Sequence, residues 1–122
     1  MKLRAYVPAP ARPVRVCLIR PPSVVARFGL TLNATPPLSV AYLAGSLLDA
    51  GHEVTVVDAV GEAPTRFSEG FRDDVVVNGL DVAGVATRVP DDTELIGISC
   101  LFSHEWPLIR ALVGVLAARF PG

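Results

Sequence analysis

Glu94-Leu-Ile-Gly-Ile-Ser-Cys-Leu-Phe-Ser-His-Glu-Trp-Pro107 reads as a buried strand that stops abruptly and hands over to a helix. Leu95, Ile96 and Ile98 form an apolar run of strand length, and Gly97 leaves room for another backbone to approach. An unbroken apolar run suits a parallel strand covered on both faces. Pro107 fits the first turn of a helix, which places the helix start between Ser103 and Trp106. The free N–H groups of that helix face the carboxyl end of the strand, where open α/β sheets bind their ligands.

The rest of the chain repeats the alternation. Val14-Arg-Val-Cys-Leu-Ile19 is a first, central strand, ended by Arg20-Pro21-Pro22, because proline removes ladder donors. A long loop follows through Gly29 and Asn33. Thr35 is a candidate N-cap with Pro36 or Pro37 in the first turn, and Val40, Leu43, Leu47 and Ala50 recur at helical spacing with Ala44 beside them. Ala41, Ala44 and Gly45 are small enough to bring this helix close to the sheet, and Gly51 stops it. Glu53-Val-Thr-Val-Val-Asp58 is the second strand, so strand, helix and strand form a right-handed βαβ unit with parallel strands. Between Ala59 and Thr93 the pattern weakens to a short run, Val75 to Val77, an Asn78-Gly79 turn, and a brief helix capped by Asp81, carrying Val82, Val85 and Val89 and ended by Pro90. The third strand is Leu95 to Cys100. Leu108, Leu112, Leu116 and Phe120, flanked by Ile109, Val113 and Val115, give the last helix a wide apolar face for a sheet.

The expected fold is therefore α/β: a Rossmann-like parallel sheet in flavodoxin-like order, with helices on both faces. In that order the first strand lies between the second and third, and a fourth should follow Pro121-Gly122. The sequence accordingly reads as truncated after the third βα unit, or as a product needing a partner, with the third strand an open edge. Residues 1–13, with three prolines, read as a flexible arm, and 14–122 as a partial domain. The same order brings the loop after Arg20 and the loop after Cys100 to one crevice.

At 122 residues the chain is one domain at most. With 51% apolar residues, 19% charged and a net charge of −1, it has a globular interior and no basic stripe for a nucleic-acid backbone. Neither a signal-peptide core nor a run of membrane-spanning length is legible, so a cytoplasmic location is expected. Cys17 and Cys100 lie far apart within or at the end of apolar runs and read as two buried thiols. No spacing of zinc or iron–sulfur type occurs.

Four segments taken in order carry a resemblance: Val16-Cys-Leu-Ile-Arg-Pro-Pro22, Pro36-Pro-Leu-Ser-Val-Ala-Tyr-Leu-Ala44, Gly51-His-Glu-Val-Thr-Val-Val-Asp58 and Ile96 to Pro107. Together they resemble the amino-terminal cobalamin-binding domain of cobalamin-dependent radical S-adenosylmethionine enzymes. The resemblance implies a module that holds cobalamin at the carboxyl edge of its sheet, with the corrin facing a catalytic domain in cis or trans. S-adenosylmethionine and an iron–sulfur cluster belong to that other domain, and the parent enzyme would perform methyl transfer or a related radical reaction. This chain alone lacks a catalytic centre, since the cluster-binding cysteines are absent. Ser99-Cys-Leu101 matches the Ser-x-Leu element in which the serine contacts the buried nucleotide tail. Relatives with a cobalt-ligating histidine carry Asp-x-His-x-x-Gly after the first strand. Here Arg20-Pro-Pro-Ser-Val-Val-Ala-Arg-Phe-Gly29 contains no histidine, which implies cobalamin without that ligand.

The cofactor-binding residues implied are Pro21, Pro22, Ser99, Cys100, Leu101, Phe102, Ser103 and Trp106. Main-chain donors and apolar side chains suit a broad apolar ring fringed with amides. Ser99 reads either as a tail contact or as a hydroxyl satisfying local backbone, and Trp106 as a border of the ring or a packing plug. His104 reads as a solvated turn histidine, Asp58 as a cap or turn former, and His52 and Glu53 as facing solvent. Two other classes fit the same open sheet: a nucleotide or nucleotide-sugar domain, though no phosphate-gripping glycine loop follows the first strand, and a non-catalytic interaction module.

Overall fold

β1 (Arg15–Arg20) sits at the centre of the molecule because four consecutive side chains, Val16 to Ile19, are buried. The computed structural model describes residues 12–29 and 35–122, so most of the expected arm, residues 1–11, and part of the long loop, residues 30–34, lie outside the described residues. After β1 come β2 (Ser23–Ala26), α1 (Leu38–Asp49), β3 (Glu53–Asp58), α2 (Ala59–Glu62), β4 (Phe67–Glu69), β5 (Val75–Asn78), α3 (Val82–Arg88) and β6 (Leu95–Ile98). A 3-10 turn, Ser103–Glu105, then leads into α4 (Trp106–Arg119).

β1, β3 and β6 form a parallel sheet in the order β3-β1-β6, the arrangement expected for the three strands read from the sequence. Side chains alternate across a strand, and β1 divides the core accordingly. Cys17 and Ile19 join Val57, Val85, Val89, Leu112 and Leu116 beneath α3 and α4, while Val16 and Leu18 meet Val40 and Ala44 of α1. The fold is thus α/β, with a three-stranded parallel sheet flanked by helices. Gly97 has a different task from the one expected: a Cβ there would lie 2.8 Å from the Leu18 Cδ2 methyl, so it admits a side chain rather than a backbone.

A second sheet, β2-β5-β4, is antiparallel and was not legible. β2 lies within the stretch read as loop, directly after Pro22, and pairs Ser23 with Asn78 through Ala26 with Val75. Buried Asn78 donates from Nδ2 to the carbonyls of Pro64 (2.9 Å) and Arg66 (3.1 Å), holding the segment before β4. Arg27 donates to the Asp73 carbonyl at 2.7 Å and pairs with Glu69, clasping the edges of the small sheet.

Other expectations shift locally. α1 is capped by Pro37 without a side-chain bond, so Thr35 is not its N-cap; two consecutive prolines set the entry instead. Only Val40 and Ala44 of α1 are buried, whereas Leu43, Ala41 and Gly45 are exposed, because the sheet under the helix is only three strands wide. Val113 and Val115 of α4 are exposed for the same reason. β6 ends at Ile98, and Cys100 is exposed beyond it, which corrects the reading of two buried thiols. Burial pushes the Cys17 thiol up to about 11. His52 is half-buried, its Nδ1 accepting from the Val14 N–H at 3.2 Å, rather than facing solvent. Asp81 caps α3 as expected, accepting from the Gly84 N–H at 2.7 Å.

The entry to β1 and β6 is held by charge. Glu94 pairs with Arg12 at 2.6 Å and accepts from the Arg15 N–H at 3.0 Å, and these bonds, the one to Arg12 foremost, lower its carboxyl to about 2. A depressed carboxylate contributes stability above its unfolded value of about 4.3 and loses it as the pH falls through the folded value. Carbon-detected titration of Glu94 should therefore give a midpoint of about 2, well below that of a free glutamate. A normal midpoint would mean that the clasp is absent in solution.

Candidate functional site

The carboxyl ends of β1 and β6 meet at one crevice. The Ser99 N–H donates to the Ile19 carbonyl at 2.9 Å, so the chain leaving β6 is tied to the last turn of β1 just where both strands end. The crevice has a volume of about 370 Å3, with Arg20, Pro21 and Ser23 on one side and Ser99, Leu101 and Phe102 on the other. A smaller hollow of about 240 Å3 shares Arg20, Thr35, Ser99 and Leu101 with it and runs to the start of α1 at Pro37 and Leu38. A third hollow, about 380 Å3, shares Val24 and His104 and runs toward Phe71 on the far side.

Proline explains the first wall. Pro21 and Pro22 are buried and lack amide hydrogens, so they end β1 without leaving orphaned donors and turn the chain into β2. Arg20 is fixed behind them: its Nη1 donates to the Thr35 carbonyl at 2.6 Å and lies 3.5 Å from Asp58 Oδ1. Asp58 also accepts from the Gly61 N–H at 2.9 Å, capping α2, so the ends of β1 and β3 and the approach to α1 are held together through one guanidinium.

The second wall combines apolar rim and polar floor. Leu101 is 69% exposed and Phe102 56%, although both are large and apolar. His104 is exposed and stacks on Phe102 with ring centroids 5.5 Å apart. Glu105 is the reverse case, an acid only 8% exposed that lines the crevice. Burial raises its carboxyl above the usual range, opposed by the Val24 N–H it accepts from and by the charges of His104 and Arg20.

Of the residues named from the sequence, Pro21, Ser99, Leu101 and Phe102 line the crevice, and Pro22 is buried behind it. Ser103 belongs to the third hollow. Cys100 and Trp106 are exposed and line none of these three hollows. Neither Trp106 nor Phe102 plugs the slot. Arg20, Ser23, Val24, Thr35, His104 and Glu105 complete the walls and were not named as site residues. Arg20 carried a signal, a cation at the last position of a central strand. Glu105 carried none, since its burial depends on β2, a strand too short to read.

Among the described residues no group of three or more His, Cys, Asp or Glu side chains could hold a metal ion, and no helix is long and apolar enough to cross a membrane. Compared with protein-family models, with curated proteins and with solved structures, the chain matches none.

Proposed function

We propose that this chain is a Rossmann-like cobalamin-binding module of a radical S-adenosylmethionine enzyme. The observation that carries the reading is the meeting of the proline turn after β1 and the aromatic turn after β6 in a single crevice, at the point where the parallel strand order reverses. Large apolar side chains left exposed at a concave mouth mark a surface that is covered in the working state. Leu101 and Phe102 are such a pair.

The residues fit the cofactor in a specific sense. Ligand cavities commonly enclose roughly 300–1,000 Å3, and this one, at about 370 Å3, accepts a slender part of a ligand but not a whole corrin. The broad ring would rest on the apolar mouth, and a second domain would cover its other side. Ser99, Ser23 and Thr35 offer hydroxyl and main-chain partners inside, while Leu101 and Phe102 offer apolar area outside. When bound, the cofactor supplies the cobalt-centred alkyl chemistry. The protein contributes position and shielding from water.

Titration with hydroxocobalamin is the test. The expected result is a complex that survives gel filtration, with a visible spectrum free of histidine coordination and unchanged by His104→Ala. Elution of the protein without cobalamin contradicts the reading.

A further inference from the structure

We infer that Glu105 is a ligand-contacting residue of this crevice, its carboxylate accepting a hydrogen bond from an uncharged N–H or O–H donor of the bound molecule, such as a peripheral amide of a corrin. The inference rests on the cobalamin reading and adds a residue, and a ligand chemistry, that the Ser-x-Leu resemblance does not contain.

The geometry begins with a cost. A carboxylate withdrawn from water is unfavourable unless it is hydrogen-bonded and its charge is met. The Val24 N–H faces the Glu105 carboxylate, and an ionised carboxylate can accept several bonds. Its side chain lines the cavity with Ser23 and Ser99, so a molecule entering there replaces the remaining water around it. That molecule must return the lost hydrogen bonds, which calls for a donor.

Charge narrows the class. Arg20 is the cation facing Glu105 from β1, and it is shared with Asp58 at the end of β3. His104 faces it from its own turn, while β2 brings the Val24 N–H and the Ser23 hydroxyl. A phosphate seated against Glu105 would therefore meet a carboxylate at close range, and a cation would meet Arg20, so a phosphodiester carried by the ligand would lie away from Glu105. A neutral amide or hydroxyl meets neither penalty. This separates the Glu105 end of the crevice from the phosphate-binding sites of nucleotide domains that share the open-sheet arrangement.

Protonation weakens the acceptor, because it removes the charge and turns one oxygen into a donor. Burial has already raised the proton affinity of Glu105, so ligand affinity should fall on acidification starting above the usual carboxylate range. The test uses the full chain and cyanocobalamin, whose amides do not titrate between about pH 8 and about pH 5. Glu105→Gln keeps an oxygen for the Val24 N–H but turns an amide donor toward the ligand's donor. It should weaken binding about ten- to a hundred-fold at neutral pH and abolish the fall in affinity with acid, with little change in the thermal midpoint. Inorganic phosphate should not raise the midpoint of the parent chain.

Unchanged affinity and an unchanged pH profile in Glu105→Gln would overturn the inference and leave Glu105 as a tether between β2 and α4. Should that variant not fold, the parent profile decides alone: affinity that is flat with pH overturns the inference. Stabilisation by phosphate overturns the exclusion of a phosphate beside Glu105. A parent chain that does not bind cyanocobalamin overturns the cobalamin reading itself, and this inference with it.

Discussion

Replacing Ile19 by alanine is expected to lower the unfolding free energy by about 2–5 kcal/mol, visible as a large drop in the urea midpoint with little change in slope. Ile19 is fully buried and packs among Val57, Leu112 and Leu116. It is the last core side chain of the central strand before Arg20, paired with Val57 on one side and Ile98 on the other. The neighbours are branched side chains on a sheet and on α4, neither of which can move inward freely, so the removed methylene and methyl groups leave a cavity. Domains of this kind have total stabilities of only about 5–15 kcal/mol. The void would open directly under the crevice, since the Ile19 carbonyl is the acceptor for the Ser99 N–H. Ile19→Val, which removes one methyl, should cost about 0.5–1.5 kcal/mol. Equal losses in the two variants would show that packing at this strand end is not what holds it.

Gly79→Ala is expected to be nearly as damaging, by about 2–4 kcal/mol, for a reason rooted in backbone rather than core. Gly79 has a φ of +116°, a region that side-chain-bearing residues rarely adopt. A Cβ added there would lie 2.6 Å from the Ala59 carbonyl oxygen and 2.9 Å from its carbon. The same carbonyl accepts from the Leu80 N–H at 2.8 Å, and the Gly79 N–H donates to the Arg66 carbonyl at 2.9 Å. The residue thus stitches the end of β5 to the start of α2, and neither partner can give way without losing a main-chain bond. Thermal unfolding checks this. A midpoint within a degree or two of the parent would contradict the close approach.

Which parts of this molecule could be read from residues alone follows from how far each pattern reaches along the chain. β1, β3 and α1 stand out because two six-residue strands with largely apolar interiors and a twelve-residue helix each hold a consistent pattern along the chain. Asp81 and Pro90 mark α3 through capping and ring chemistry that act within a few residues. β2 and β4, at four and three residues, are too short to show an alternation, and they form only because β5 lies between them. Their pairing is a long-range fact.

The same distinction governs the crevice. Pro21, Ser99, Leu101 and Phe102 could be placed at its walls from strand order, since parallel topology fixes which strand ends are neighbours. Ser23 and Val24 could not, because they reach the crevice through the small antiparallel sheet, and Glu105 could not, because its turn packs beside β2. Cys100 and Trp106 follow in sequence the residues that do line it, yet are exposed. Past the end of β6, a turn has no fixed alternation to say which side chain points inward.

The most direct test of the crevice as a ligand site is amide chemical-shift mapping of the labelled chain during titration with cyanocobalamin. Ser23, Val24, Ser99, Leu101, Phe102 and Glu105 should shift together with one affinity, while Asp91, Asp92 and Glu94, at the opposite end of β6, stay still. Shifts confined to that opposite end, or no shifts at all, would contradict it.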